Sequence, residues 1–501
     1  MKGEKIFLLL IFLVAVFLRF FHLQERAVFL GDQGRDLIEV REAILARKIP
    51  LAGPLSNEKI HTGPFYYYLI IPSLLLAKFQ PTGPIFFFTA LGVFTTILIY
   101  CLNQKIFGFL PAILPTIAYA SSILVINRTT GLWNPIPIPF FTAHIILSLF
   151  KIKEERKLRW LPLLGIFLGI TSQLYIPTYF LFLPTVLFWL SCFLETKSKL
   201  RFLGWSFLGI ITLALTFLPF SIFQIQNDFE DLNNFFNLLF NQFLPLSPRN
   251  TSLFLPRVFL LLGQQFQAIF PFTSLKVAAF LGLVALASPL FSQKRKFFWH
   301  LFLSFWLVGG LVLLSLRPDS VSHHHYASFL WALPFFLFAS FLHSLQRFVP
   351  KKVFFVLELI LILLNTMAYF RNFTVSNDLV RAERIAILVA REAKNQPFFL
   401  LLLSDRSLSD SHIRYLLLLK GARVRKFDDE NTDFLFLVCD KNNCPPQKQI
   451  SNLQIVDSFC LPACPPLGKQ RKIKLANWQF QARKEFWPGR KIYILKRAGP
   501  S

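Results

Sequence analysis

The sequence predicts a helical, polytopic membrane protein with a small α/β domain at its C-terminal end. Three observations carry this reading. Of 501 residues, 54% are hydrophobic and 61 are phenylalanine. Apolar runs recur from residue 5 to residue 370, and at ~1.5 Å per residue they match a hydrocarbon slab of ~30 Å. Beyond Phe370 the long runs stop, and short helical and strand-like patterns alternate. The expected division is a transmembrane domain over 1–370 and an extracytoplasmic α/β domain over 371–501.

The first apolar segment, Ile6 to Leu18, follows Lys2 and Lys5. Arg19, Phe20 and Phe21 come next rather than the small residues of a cleavage site, so an uncleaved anchor with a cytoplasmic N-terminus is expected. The net charge of +26 does not indicate a nucleic-acid partner. Its basic residues sit in short loops, such as Lys151 to Arg159, Lys197 to Arg201, Lys294 to Lys296 and Arg347 to Lys352, which is the positive-inside pattern of cytoplasmic loops.

Parity then constrains the crossings. The loop near 24–64 falls outside and the loop at 103–108 inside, so only one of 65–79 and 84–102 can cross. The shorter, Phe65 to Phe79, opens with three tyrosines and reads as a juxtamembrane helix on the outer surface. Of the two apolar stretches in 253–291, only 275–291 is expected to cross. The expected spans are 5–23, 84–102, 109–126, 135–150, 160–176, 179–194, 201–223, 275–291, 297–316, 326–346 and 353–370, about 11 in all. The C-terminus then lies outside. There, 378–394 reads as an amphipathic helix, 410–420 as helical, and 398–403, 434–438 and 491–495 as strands. Cys101 and Cys192 lie in apolar segments. Cys439, Cys444, Cys460 and Cys464 cluster in the tail among prolines, where disulfides are favoured over zinc.

Four outer loops hold the residues suited to chemistry. The first, Phe29-Leu30-Gly31-Asp32-Gln33-Gly34-Arg35-Asp36, places Asp32 just before a surface helix expected to begin near Asp36. A carboxylate at a helix N-terminus stays ionised and can accept a proton from an alcohol or amine. The second, Lys59-Ile60-His61-Thr62-Gly63-Pro64 with Tyr66 and Tyr67, joins phosphate-suited cations to aromatics that hold a lipid headgroup. An aromatic interface belt explains the tyrosines alone. The third sets Arg128 beside Trp133 and Asn134, and Gln173 and Tyr175 end a neighbouring span. A snorkelling arginine is the plain reading; a sugar phosphate suits the arginine, indole and amide together. The fourth runs from Arg317 through His323, His324 and His325 to Tyr326. Successive helical residues point about 100° apart, so three adjacent histidines cannot share one metal ion; Arg317 with His324 or His325 makes a phosphate cradle. No cofactor is expected, with a divalent metal as the less favoured alternative.

The order of these motifs on one side of the membrane resembles the GT-C superfamily of polyprenyl-phosphate-sugar glycosyltransferases. It is most similar to the branch of protein O-mannosyltransferases and lipid A aminoarabinose transferases. The resemblance spans roughly 5–370 and rests on Asp32, on His61 to Tyr68, on Arg128 with Trp133-Asn134-Pro135, and on Arg317 to Tyr326. It implies inverting transfer, at the outer face of the plasma membrane, from a polyprenyl-phosphate-linked sugar to a hydroxyl or amine of a lipid, glycan or protein acceptor. Asp32 would activate the acceptor, and basic side chains would hold the departing phosphate. Many relatives have Asp-Glu where this chain has Asp32-Gln33, and a second acid in the loop matching 127–139, where this chain has none. Asp36 is therefore the candidate second carboxylate, with Arg35 beside it. The alternative is a transporter or lipid-linked glycan flippase. Transporters usually carry ionisable residues at mid-span and internal repeats, whereas these charges gather at one surface.

Overall fold

Hydrocarbon offers backbone N–H and C=O groups no partners, so apolar segments of this kind satisfy them internally as helices. The computed structural model describes residues 2–56, 58–238, 240, 253–288, 294–317, 321–425, 432–456 and 472–498. Its helices are α1 (Lys2–Phe20), α2 (Leu23–Arg26), α3 (Gly31–Leu45), α4 (Phe65–Leu76), α5 (Thr82–Phe107), α6 (Phe109–Ser121), α7 (Ile123–Arg128), α8 (Ile138–Lys153), α9 (Trp160–Leu174), α10 (Phe182–Glu195), α11 (Lys199–Gln226) and α12 (Glu230–Leu238). There follow α13 (Phe254–Phe266), α14 (Leu275–Ala287), α15 (Lys294–Ser315), α16 (Leu333–Leu345) and α17 (Lys351–Arg371). Short 3-10 turns, Ile176–Leu181 and His324–Leu330, precede α10 and α16.

Each expected crossing coincides with an apolar helix. Among the described residues, five helical stretches are long and apolar enough by themselves to cross a membrane. They are α5, Ile176–Glu195, α11, Lys296–Ser315 and α17, with a sixth if His324–Leu330 and α16, bent by 52°, count as one. The remaining expected spans are the 19-residue α1 and the shorter α6, α8, α9 and α14. Helix α6 stops at Ser122, whose extended backbone separates it from α7. Residues 289–291 of the expected span 275–291 lie outside the described residues. Helix α4, only 12 residues long, occupies the segment read as juxtamembrane.

Close helix contacts depend on glycine. A Cβ on Gly165 of α9 would collide with the carbonyl of Gly209 in α11, and one on Gly169 with Thr216. Gln173 at the end of α9 adds hydrogen bonds to the Gly169 and Thr216 carbonyls, each 3.0 Å.

After α17 the chain forms α18 (Asp378–Ala393), β1 (Phe398–Ser404), α19 (Ser411–Leu419), β2 (Val424–Arg425), β3 (Phe434–Asp440), β4 (Gln454–Val456), β5 (Lys472–Lys474), β6 (Trp478–Trp487) and β7 (Arg490–Arg497). The five-stranded sheet has the order β2-β1-β3-β7-β6; β1 is parallel to β2 and β3, and β7 is antiparallel to β3 and β6. Both helices and the three strands expected here are present; β6, whose apolar residues are interrupted by Arg483, Lys484 and Glu485, was not anticipated. Cys439 and Cys444 form a disulfide; Cys460 and Cys464 lie outside the described residues. The largest departure concerns α3, which begins at Gly31 rather than near Asp36. The Gln33 side chain accepts the Leu30 N–H at 2.9 Å and starts the helix early.

Substituting Gly165 by alanine should lower stability by roughly 1–3 kcal/mol, because a methyl cannot enter a backbone contact without moving a helix. Gly204→Ala, on the same helix pair but with nothing within 4 Å of its Cβ position, should not. Thermal unfolding in detergent compares the two, and equal melting would show that the α9–α11 contact yields easily.

Candidate active site

The early start of α3 sets the site. Asp32 lies in its first turn, and Arg35 and Asp36, three and four residues on, share its face. Arg35 Nη1 is 3.3 Å from Asp32 and its Nη2 2.9 Å from Asp36. Asp32 is 58% exposed, Arg35 13% and Asp36 only 1%. The Tyr67 hydroxyl of α4 donates to Asp36 at 3.4 Å. Burial raises the Asp36 pKa to about 6 against the pull of Arg35. Burial also opposes the charge on Arg35, but Asp36 and then Asp32 outweigh it, and its pKa is raised.

Next in the chain is a tight turn. Gly53 N–H bonds to Thr62 O at 2.9 Å, Thr62 N–H to Pro54 O at 3.0 Å and Ser56 N–H to Ile60 O at 2.9 Å. This turn carries Glu58 to Arg317, 2.6 Å away. Burial works against the Glu58 carboxylate, yet the hydrogen bond from Arg317 prevails and its pKa is lowered. Arg317 also lies over the Tyr326 ring, 4.7 Å from the centroid. From there an aromatic wall continues: Tyr326 stacks on Tyr175 at 5.9 Å, and His325 packs on Trp133 at 4.6 Å. The Asn134 amide donates to Leu174 O at 2.7 Å and fixes the 133–134 loop to the end of α9.

These groups enclose one cavity of about 280 Å³. Its lining includes Asp32, Arg35, Ser56, Glu58, Thr62, Trp133, Asn134, Tyr175, Arg317, His325 and Tyr326, with Tyr179, Phe180, Phe235, Leu238, Leu313 and Leu314 as an apolar remainder. Loops and helices that are distant in sequence thus meet at one chamber.

Other expected site residues stand elsewhere. Lys59 is exposed at the tip of the turn with φ +59°, outside the cavity wall. His61 fronts a neighbouring cavity with Glu39, Glu42 and Tyr67, and its Nδ1 pairs with Asp231 at 3.1 Å. Tyr66 is fully buried beneath α4, and Tyr67 reaches the site only through Asp36. Gln173 is buried between helices, where its amide nitrogen donates to two helix carbonyls. Arg128 forms a separate cluster: it donates to Gln264 O at 3.4 Å and lies 5.5 Å over Trp331, against which His324 also stacks. Burial lowers the Arg128 pKa to about 10, leaving it charged at neutral pH. Among the described residues, no group of three or more His, Cys, Asp or Glu could hold a metal ion.

Two contributors were not singled out in the sequence. Glu58 immediately precedes the marked stretch that begins at Lys59, so its charge was a usable signal. Asp231, which accepts from both the backbone and the ring of His61 and from Gln224, had no local signal; only the fold brings it 170 residues back along the chain.

Comparison with known proteins agrees with this architecture. Residues 61–223 match the family described as dolichyl-phosphate-mannose-protein mannosyltransferase. None of the curated proteins is similar in sequence. Among solved structures, ArnT from Cupriavidus metallidurans bound to undecaprenyl phosphate is similar at a TM-score of 0.61, with 12% identity and 100% of both chains covered. The oligosaccharyltransferase AglB from Archaeoglobus fulgidus, in complex with an inhibitory peptide and a dolichol-phosphate, gives a TM-score of 0.46 and 12% identity, covering 87% of this chain and 69% of its own. The chain therefore shares the fold of ArnT over its whole length, and its residues 61–223 match the mannosyltransferase family.

Proposed function

We propose that this protein is an inverting glycosyltransferase that moves a sugar from a polyprenyl-phosphate donor to a hydroxyl or amine on a lipid, glycan or protein at the outer face of the plasma membrane. The observation that carries the reading is the meeting of Asp32 and Arg317 in one largely apolar cavity. The solved relative bound to undecaprenyl phosphate supports the donor class. In the proposed reaction Asp32 takes the proton of the acceptor, whose oxygen or nitrogen attacks the anomeric carbon. The bond from that carbon to the phosphate oxygen breaks, and the phosphate leaves with the electron pair. Arg317 faces the developing charge; a guanidinium has five N–H donors and can serve the phosphate while bonded to Glu58. Trp133, Tyr175, His325 and Tyr326 provide ring surfaces for the sugar, and Asn134 edges it. Arg35 orients Asp32, and Asp36 holds Arg35. The domain division at residue 370 is part of the proposal, with the α/β tail on the outer side.

Transfer of labelled sugar from a broad panel of polyprenyl-phosphate donors, in membranes holding wild-type or Asp32→Asn protein, tests this directly. Loss of about 10²–10⁴-fold with donor binding retained is expected of a general base. Equal rates would remove Asp32 from the mechanism. For Arg317→Ala the expected loss of turnover is about 10²–10³-fold, the size found for a removed transition-state donor. Absence of transfer by the wild type across the panel would favour the transporter.

A pH prediction follows from Asp36. Burial raises its folded pKa from the ordinary carboxylate range to about 6, so its ionised form costs more in the folded than in the unfolded chain. The contribution to stability is complete below the ordinary value and is lost as pH rises through about 6. Asp36→Asn does not titrate, so its melting temperature should gain on that of the wild type from about pH 4 to pH 6 and keep a constant offset above. Thermal unfolding over that range reads this difference; an offset independent of pH would mean that Asp36 titrates normally.

A further inference from the structure

Helix α3 presents charges on one face and small residues on another. Gly31 and Gly34, one turn apart, lie against the turn that precedes α19 in the tail. A Cβ on Gly34 would collide with the backbone of Ser411 and His412, and one on Gly31 would stand 2.6 Å from Ser409 Cβ. The Gly31 N–H, one of the four donors that a helix N-terminus leaves without an internal partner, bonds to Ser407 Oγ at 3.1 Å. Besides Gln33, the start of α3 is therefore capped by a residue 376 positions further along the chain.

The tail segment is itself cross-linked by hydrogen bonds and an ion pair. Ser407 Oγ donates to Ser409 O at 2.7 Å, the Ser409 and Ser411 hydroxyls bond at 2.7 Å, and Arg414 pairs with the buried Asp410 at 2.8 Å. One turn along α19, the Tyr415 hydroxyl donates to Phe79 O just after α4, at 2.5 Å. Helix α19 thus holds α3 and the end of α4 together, on the elements that carry Arg35, Asp36 and Tyr67.

We propose that the turn Ser407–His412 of the C-terminal domain is a positioning element for the catalytic helix. It caps α3 and sets its depth and rotation so that Asp32 faces the cavity. The inference rests on the reading of Asp32 as the base. An isolated 15-residue helix is marginal in water, and a rotation by a single residue turns its side chains about 100°. Among the described residues, Arg35 is the one ion-pair partner of the exposed Asp32, so the opposite face decides where it points.

Full-length protein with Gly34→Ala, Ser407→Ala or Ser407→Thr provides the test, with Gly204→Ala as the control. Two readouts are taken: kcat with donor affinity, and hydrogen exchange of the α3 amides, which needs no activity. Gly34→Ala should lower kcat by about 10–100-fold with donor affinity within about twofold, since a misplacement of about 1 Å at a reacting group has this size. Ser407→Ala should lower it by about tenfold through the unsatisfied Gly31 amide, and Ser407→Thr, which retains the hydroxyl, should restore it. Exchange across α3 should quicken in the two impaired variants and not in the control. Unchanged kcat and exchange in Ser407→Ala and Gly34→Ala would overturn the proposal, as would faster exchange with unchanged kcat. A wild type that transfers no sugar would instead overturn the functional reading, and the exchange rates would still decide whether the tail seats α3.

Discussion

The guanidinium of Arg35 is the interaction on which the rest of the site depends. It is largely buried and spans two carboxylates, the exposed Asp32 and the enclosed Asp36. Burying a charge of either sign without a partner costs several kcal/mol, so neither Arg35 nor Asp36 can occupy this position without the other. The pair also reaches across to α4 through Tyr67. This buried pair therefore links α3 to α4, and Arg35 also holds the exposed carboxylate, Asp32, at the cavity.

The opposite part of the cavity obeys a different constraint. Arg317 follows an apolar helix and is neutralised by Glu58, with the Tyr326 ring on its face. The ring stack from Tyr326 through Tyr175, and from His325 to Trp133, gives the chamber flat apolar surfaces at a polar edge. Such surroundings lower the effective dielectric constant, and charges within them act more strongly than they would in water.

Much of this was legible in the residues. Asp32, Arg35, Trp133, Asn134, Tyr175, Arg317, His325 and Tyr326 were marked by their types at membrane boundaries, and all line the same cavity. Lys59, His61, Tyr66, Gln173, Arg128 and His324 were marked by the same reasoning and do not line it. The difference is one of direction. Loop position and residue type say which side of the membrane a group is on, whereas the rotation of its helix and the demands of nearby backbone carbonyls decide which way it faces. Gln173 shows this plainly: at the end of α9 its amide is drawn inward by two carbonyls. The boundary of α3 was misplaced for a similar reason, since Gln33 caps the backbone three residues before itself.

By itself the sequence determined the order and apolar character of the helices and three of the tail's strands, β1, β3 and β7. These follow from hydropathy and periodicity, which are properties of neighbouring residues. Only the tertiary structure decided that Glu58 would meet Arg317 across 259 positions, that Asp231 would hold His61, and that the tail would lie against Gly31 and Gly34. Contacts of that range leave no periodic trace in the chain, because each depends on where two separately formed helices or loops come to rest against one another.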